Sequence, residues 1–168
     1  MKKIVVIGPE SVGKTTLCET LAKNNNADWV PEYAREYVEN LGRVYTYSDV
    51  VHIAKTQFEQ FSLQTEQEFL IFDTDLIVTK VWLEHVFGRV PEWLDKAILQ
   101  ENVDLYLLCK PDLEWIAEPV RENPDLRDYL YEWYLREIKK TLVPFEEIEG
   151  RGVARTFSAQ KAIDKWLK

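Results

Sequence analysis

The apolar positions of this chain follow two alternating periods. Residues 3–7 are a short β-branched run closed by Gly8, the pattern of a buried strand. Residues 14–23 predict a helix, ended by the polar triplet Asn24, Asn25 and Asn26. A second, short strand is expected at Trp29 and Val30 and stops at Pro31. Residues 48–67 predict a long amphipathic helix, with Val50, Ile53, Ala54, Phe58 and Phe61 on one stripe and Ser48 as its cap. Residues 69–72 are continuously apolar, as central parallel strands are, and run directly into Asp73. Further helices are predicted over 76–87 and 92–100, the latter entered through Pro91. Strands are predicted over 104–109 and 143–148, and between them Asn123 and Pro124 make a good helix start. A last helix is expected from 158 to the end.

Strands separated throughout by helices predict an α/β fold, a parallel sheet covered on both faces. Active sites in such sheets lie at the carboxyl ends of the strands. No repeat, low-complexity tract or linker interrupts the pattern, so one domain over residues 1–168 is expected.

Charge and cysteine content narrow the function. The 168 residues carry a net charge of -8, which argues against a nucleic-acid-binding face, since that needs a basic stripe. Cys18 and Cys109 lie far apart with no C-x-x-C spacing, and are expected to be reduced, buried small hydrophobes. The N-terminal run is too quickly followed by glycine to be a signal peptide, and no apolar stretch approaches the ~20 residues of a membrane span. A cytoplasmic protein is expected.

The first strand leads into GPESVGKTT, which is Gly8, Pro9, Glu10, Ser11, Val12, Gly13, Lys14, Thr15 and Thr16. This matches the full P-loop pattern, with a strand before it and a helix after it. Glycines let backbone N–H groups curl around phosphates, Lys14 reaches the β- and γ-phosphates, and the Thr15 hydroxyl ligates Mg²⁺. The helix that opens at Lys14 aims its positive end at the same anion. ATP and Mg²⁺ are the expected cofactors.

Three charge clusters choose among the chemistries that share this loop. After the second strand, Glu32 stands where a carboxylate can take a proton from an attacking hydroxyl, with Arg35 one helical turn later; a solvated helix start is the plainer alternative. After the third strand, Asp73 is the candidate that holds Mg²⁺ through water, while Asp75 opens the next helix as a cap or a substrate ligand. Between the fourth and fifth strands, Arg121 and Arg127 flank a helix start and suit a lid over about 113–130. Surface ion pairs with Glu118, Glu122 and Asp128 are the alternative use of those arginines. Trp29, Tyr33 and Tyr37 border the expected substrate side, and His52 and His85 are expected to be structural.

A GTPase would need a D-x-x-G switch and an N-K-x-D base reader. Cys109-Lys110-Pro111-Asp112 imitates the second without its amide, and Asp73-Thr74-Asp75-Leu76 lacks the switch glycine. A recombinase-like ATPase would want more chain and a basic surface. A compact kinase of a small hydroxyl compound accommodates the length, the acidity, the strand-end carboxylates and the arginines together.

The segments GPESVGKTT, PEYAREY, YSDVVHIAKTQ, FDTDLIVTK and WIAEPVRENPDLR, taken in order, resemble the ribosylnicotinamide kinase domain of the NadR-type NAD-salvage proteins, within the P-loop kinase superfamily. The resemblance spans nearly the whole chain. It implies a three-layer P-loop kinase fold with sheet order 2-3-1-4-5, and transfer of phosphate from Mg-ATP to the 5′-hydroxyl of nicotinamide riboside. It further implies residues 8–16 around the triphosphate and Mg²⁺ between Thr15 and Asp73. Glu32, Asp73 and Asp75 would surround the ribose hydroxyls, with Glu32 or Asp73 as the base, Tyr33 and Arg35 on the substrate side, and Arg121 and Arg127 as lid arginines. The loop near 150–155 would border adenine. Because the chain opens at the kinase segment, neither transcriptional repression nor adenylyl transfer is expected of it. The expected partner is a small nucleoside, not nucleic acid or membrane; an ATPase of other role, or a kinase of a different nucleoside, is the alternative.

Overall fold

In a computed structural model, which describes residues 1–116 and 124–168, the chain forms five strands and seven helices among the described residues. In order these are β1 (Lys2–Ile7), α1 (Lys14–Asn25), β2 (Asp28–Val30), α2 (Tyr33–Asn40), α3 (Tyr47–Gln60), β3 (Phe69–Asp73) and α4 (Leu76–Phe87). They are followed by α5 (Leu94–Gln100), β4 (Leu105–Cys109), a 3-10 turn at Pro124–Leu126, α6 (Arg127–Thr141), β5 (Phe145–Ile148) and α7 (Val153–Leu167). The strands form one parallel sheet in the order β2-β3-β1-β4-β5, the α/β topology expected of a P-loop kinase.

The three central strands are buried on both faces, and their alternation assigns side chains to two core layers. Val5 and Ile7 of β1, with Tyr106 and Leu108 of β4, face the layer formed with α3, α4 and α6. Ile4 and Val6, with Leu107 and Cys109, face the layer formed with α1 and α7. Both cysteines are free and buried in that second layer, and burial pushes the Cys109 thiol up to about 11, which leaves it inert. No helix among the described residues is long and apolar enough to cross a membrane.

Three helix boundaries differ from the sequence pattern for local reasons. Helix α3 is capped by Thr46 rather than Ser48: Thr46 Oγ1 accepts from the Asp49 amide while Asp49 Oδ2 accepts from the Thr46 amide at 2.7 Å. The same helix ends at Gln60, not at residue 67. There Phe61 turns inward to stack on Phe72, with ring centroids 4.0 Å apart, and its carbonyl accepts from Lys3 Nζ at 2.6 Å. Helix α7 starts at Val153, five residues before the expected start, because the loop after β5 is only four residues long. The expected cap Asn123 lies outside the described residues.

Candidate active site

The site is built at the carboxyl ends of β1, β3 and β4. β1 lies between β3 and β4, with Val6 in register with Asp73 and Ile7 with Leu108. The loop leaving β1 must therefore pass close to the end of β4. A Cβ at Gly8 would stand 2.8 Å from the Cys109 carbonyl oxygen, so only glycine fits. Ser11 and Gly13 adopt positive φ values of 56° and 73°, which curls the loop over the start of α1. That helix has no side-chain cap and no acidic residue in its first turn, so its N–H groups stay available to an anion.

Lys14 folds back along the loop, its Nζ donating to the carbonyls of Gly8 and Pro9 at 3.0 Å each. Thr15 Oγ1 donates to Asp73 Oδ2 at 2.6 Å, joining the loop to the end of β3. The other Asp73 oxygen is buried without a hydrogen-bond partner. A hydroxyl beside a buried, half-satisfied carboxylate is the hard-oxygen donor pair that suits Mg²⁺. Among the described residues no cluster of three His, Cys, Asp or Glu side chains could hold a metal by itself.

Thr74 has a φ of 79°, a strained conformation for a β-branched residue, with its amide bonded to the Val6 carbonyl at 3.0 Å. This twist sends the two neighbouring aspartates apart. Asp73 faces the loop, whereas Asp75 is fully buried and caps α4 by accepting from the Ile77 amide at 3.0 Å. Of the two uses expected for Asp75, the cap is the one its geometry serves. Glu101, equally buried, accepts from the Leu76 amide at 3.3 Å. Burial pushes Asp75 up to about 7, and burial together with Asp75 raises Glu101 too.

Two cavities meet at the phosphate loop. The first, about 140 Å³, touches Gly8, Glu10, Ser11 and Lys14 and reaches away between α2, α3 and α4. Glu32 and Arg35 enter it from α2 with a 3.7 Å ion pair. Burial raises the Glu32 carboxyl above its ordinary range; Lys14 and Arg35 oppose that rise, and Asp73 adds to it. The second cavity, about 670 Å³, lies on the other side of the loop between Gly13, Thr16 and Thr20, the segment at Leu113, and Gly152, Val153 and Phe157 of α7. Its walls are largely apolar, as a flat ring requires.

Some expected residues stand elsewhere. Tyr33 lines neither cavity: its hydroxyl lies 3.3 Å from His52 Nε2, and its ring packs on Tyr37. Trp29 packs into the α1/α7 core layer. The aromatic rings around the first cavity are instead Tyr45, Trp82 and Tyr134, with His85 at its rim. Trp82 follows Val78 and Thr79 at helical spacing on α4, the periodicity that could have found it. Arg127 donates to the Leu113 carbonyl at 2.8 Å and lies over the Trp115 ring, lining neither cavity. Arg121, with residues 117–123 of the expected lid, lies outside the described residues.

Arg155 is the residue the sequence does not single out. It is 4% exposed, and its guanidinium donates to the carbonyls of Val12 at 2.9 Å, Gly150 at 2.8 Å and Lys110 at 3.3 Å, and pairs with Asp112. One cation thus ties the phosphate loop to the ends of β4 and β5 beside the second cavity.

The family model described as an AAA domain matches residues 3–155. The trifunctional NAD biosynthesis/regulator protein NadR of Salmonella typhimurium is 25% identical over 127 residues, which cover 72% of this chain and 31% of that protein. The chain thus spans about a third of the length of that relative. A crystal structure of NadR protein in complex with NR superposes with a TM-score of 0.84 at 25% identity, covering 98% of this chain and 50% of the other. A NadR structure in complex with NAD and AMP-PNP gives 0.83 at 26% identity, covering 98% and 49%.

Replacing Arg155 with Met is expected to lower stability by ~3 kcal/mol, since buried carbonyls and Asp112 lose a shared donor. Urea denaturation measures this. A change under about 0.5 kcal/mol would show that the guanidinium does not hold the loop.

Proposed function

The chain belongs to the AAA-domain family, and from that premise we propose that it is an ATP-dependent kinase of a small nucleoside, with nicotinamide riboside as the acceptor. The observation that carries this is the pair of cavities on opposite sides of one phosphate loop, with Lys14 and Glu32 both lining the first. A nucleotide base in the cleft beside Gly152 and Phe157 directs its triphosphate along the loop toward Lys14. An acceptor in the first cavity then meets the γ-phosphate in line. The NadR structures described with NR and with AMP-PNP support both assignments. The lining also favours the proposed acceptor, because Tyr45, Trp82 and Tyr134 supply aromatic rings to a cationic pyridine ring.

In this reaction Glu32 takes the proton of the acceptor's 5′-hydroxyl as its oxygen attacks the γ-phosphorus. The bond from that phosphorus to the β,γ-bridging oxygen breaks, and ADP leaves. Lys14 follows the charge that gathers on the phosphoryl oxygens. Thr15 and Asp73 are the residues that would hold magnesium, which when bound would supply further neutralisation of the phosphate charge. Asp73, one oxygen of which is already engaged by Thr15, is assigned to metal rather than to proton transfer. Arg35 holds Glu32 in place across the entrance of the cavity.

An ADP-release screen over a nucleoside panel tests the reaction. Nicotinamide riboside is expected to stimulate ADP release and yield its mononucleotide, and Lys14→Ala is expected to abolish both while leaving the thermal transition in place. Hydrolysis stimulated by DNA, with no phosphorylated nucleoside, would contradict the kinase.

The raised Glu32 carboxyl sets the pH dependence. The base works only when deprotonated, so kcat/KM should rise with pH through a limb above the ordinary glutamate value of about 4.3. Glu32→Gln should remove that limb together with most of the rate. An acid limb at or below the ordinary value in the wild type would contradict the assignment.

A further inference from the structure

The first cavity combines charged and apolar walls, and the proposed reaction gives no role to one polar residue of its lining. Glu10, Lys14 and Glu32 supply charge beside the phosphate loop. Val38, Val78 and Trp82 supply apolar wall, and α3 contributes Gln57, the one primary amide among the described lining residues. Gln57 is 3% exposed, and Thr79 from α4, just as buried, donates its hydroxyl to Gln57 Oε1. That contact engages one of the two lone pairs of the amide oxygen, while its Nε2, with two N–H donors, makes no hydrogen bond to the described residues. A buried amide with unspent donors on an otherwise apolar wall is costly unless something else accepts from it.

We propose that Gln57 reads the base of the acceptor nucleoside: its Nε2 donates to a carbonyl-type oxygen carried by the ring, and Thr79 fixes which end of the amide faces the cavity. This rests on the nucleoside kinase proposed above and specifies the edge of the ring it selects. With Oε1 turned to Thr79, the Nε2 donors are what the side chain offers to the cavity. A ring bearing a carboxamide oxygen satisfies them, whereas a bare ring leaves them unpaired, and that difference is what discriminates between substrates. The distance in sequence between Gln57 and Thr79, on helices that pack across the cavity, makes the orientation a property of the fold rather than of one segment.

The test compares nicotinamide riboside with pyridine riboside, which lacks the carboxamide, on the wild type, Gln57→Met, Gln57→Glu and Thr79→Val. The wild type should prefer nicotinamide riboside by roughly 10–100-fold in kcat/KM. Gln57→Met and Gln57→Glu, both close in volume to glutamine, should erase that preference by raising KM for nicotinamide riboside. KM for ATP should stay as in the wild type, and kcat/KM should change less for pyridine riboside than for nicotinamide riboside. Thr79→Val, which frees the amide to rotate, should give an intermediate preference. A wild type that phosphorylates both ribosides equally, or variants that keep the preference or lose both substrates alike, would overturn the role of Gln57 while leaving the kinase in place. A wild type that phosphorylates neither riboside would overturn the kinase and this inference together.

Discussion

The structure depends on the close approach of two backbones, the turn at Gly8 and the carbonyl of Cys109. β1 and β4 are neighbours in the sheet, so the chain leaving β1 passes over the end of β4 with no room for a side chain. That fixes where the phosphate loop begins. The other contacts are arranged around it: Arg155 accommodates the Val12 carbonyl from below, and Thr15 reaches across to Asp73 at the end of the other neighbouring strand. A loop pinned on three sides presents its N–H groups in one geometry without spending binding energy to order them. The two cavities diverge from this point, where the proposed transfer would bring donor and acceptor together.

Acidic groups near the loop are given different tasks by burial and backbone geometry. The left-handed backbone at Thr74 separates Asp73, turned toward the loop, from Asp75, turned into the cap of α4. Asp75 and Glu101 are both buried and both raised, so the stability they contribute is complete at acid pH, below the ordinary carboxylate range; that of Asp75 is lost as pH rises through about 7, and that of Glu101 is also lost on raising the pH. Glu32 is raised as well, but Lys14 and Arg35 oppose the rise and favour its ionised form. Strain at Thr74 is thus located where the site needs two adjacent carboxylates to do unlike things.

Much of this was legible in the sequence because the signals are local. A continuous apolar run ending in Asp73, and a glycine-rich loop between strand and helix, need no tertiary information to be recognised, and with the resemblance they carried the sheet order. The substrate side was harder. Tyr33 and Tyr37 are adjacent to Glu32 in the chain, yet α2 turns them toward His52, and the cavity takes its rings from Tyr45, Trp82 and Tyr134 on three other segments. The burial of Arg155 and Gln57 was not legible for the same reason: a surface-type residue is enclosed only when distant segments surround it. Helix ends were misplaced where a single side chain decided them, as Phe61 does by leaving the helix to stack on Phe72.

The central claim is a direct transfer between two ligands held on opposite sides of one loop. The stereochemical course at phosphorus examines it without reference to any single residue. With ATP made chiral at the γ-position as a thiophosphate, one in-line displacement must invert the configuration in the phosphorylated nucleoside. Inversion is the predicted result. Retention would require an intermediate phosphoryl-enzyme and would contradict the account.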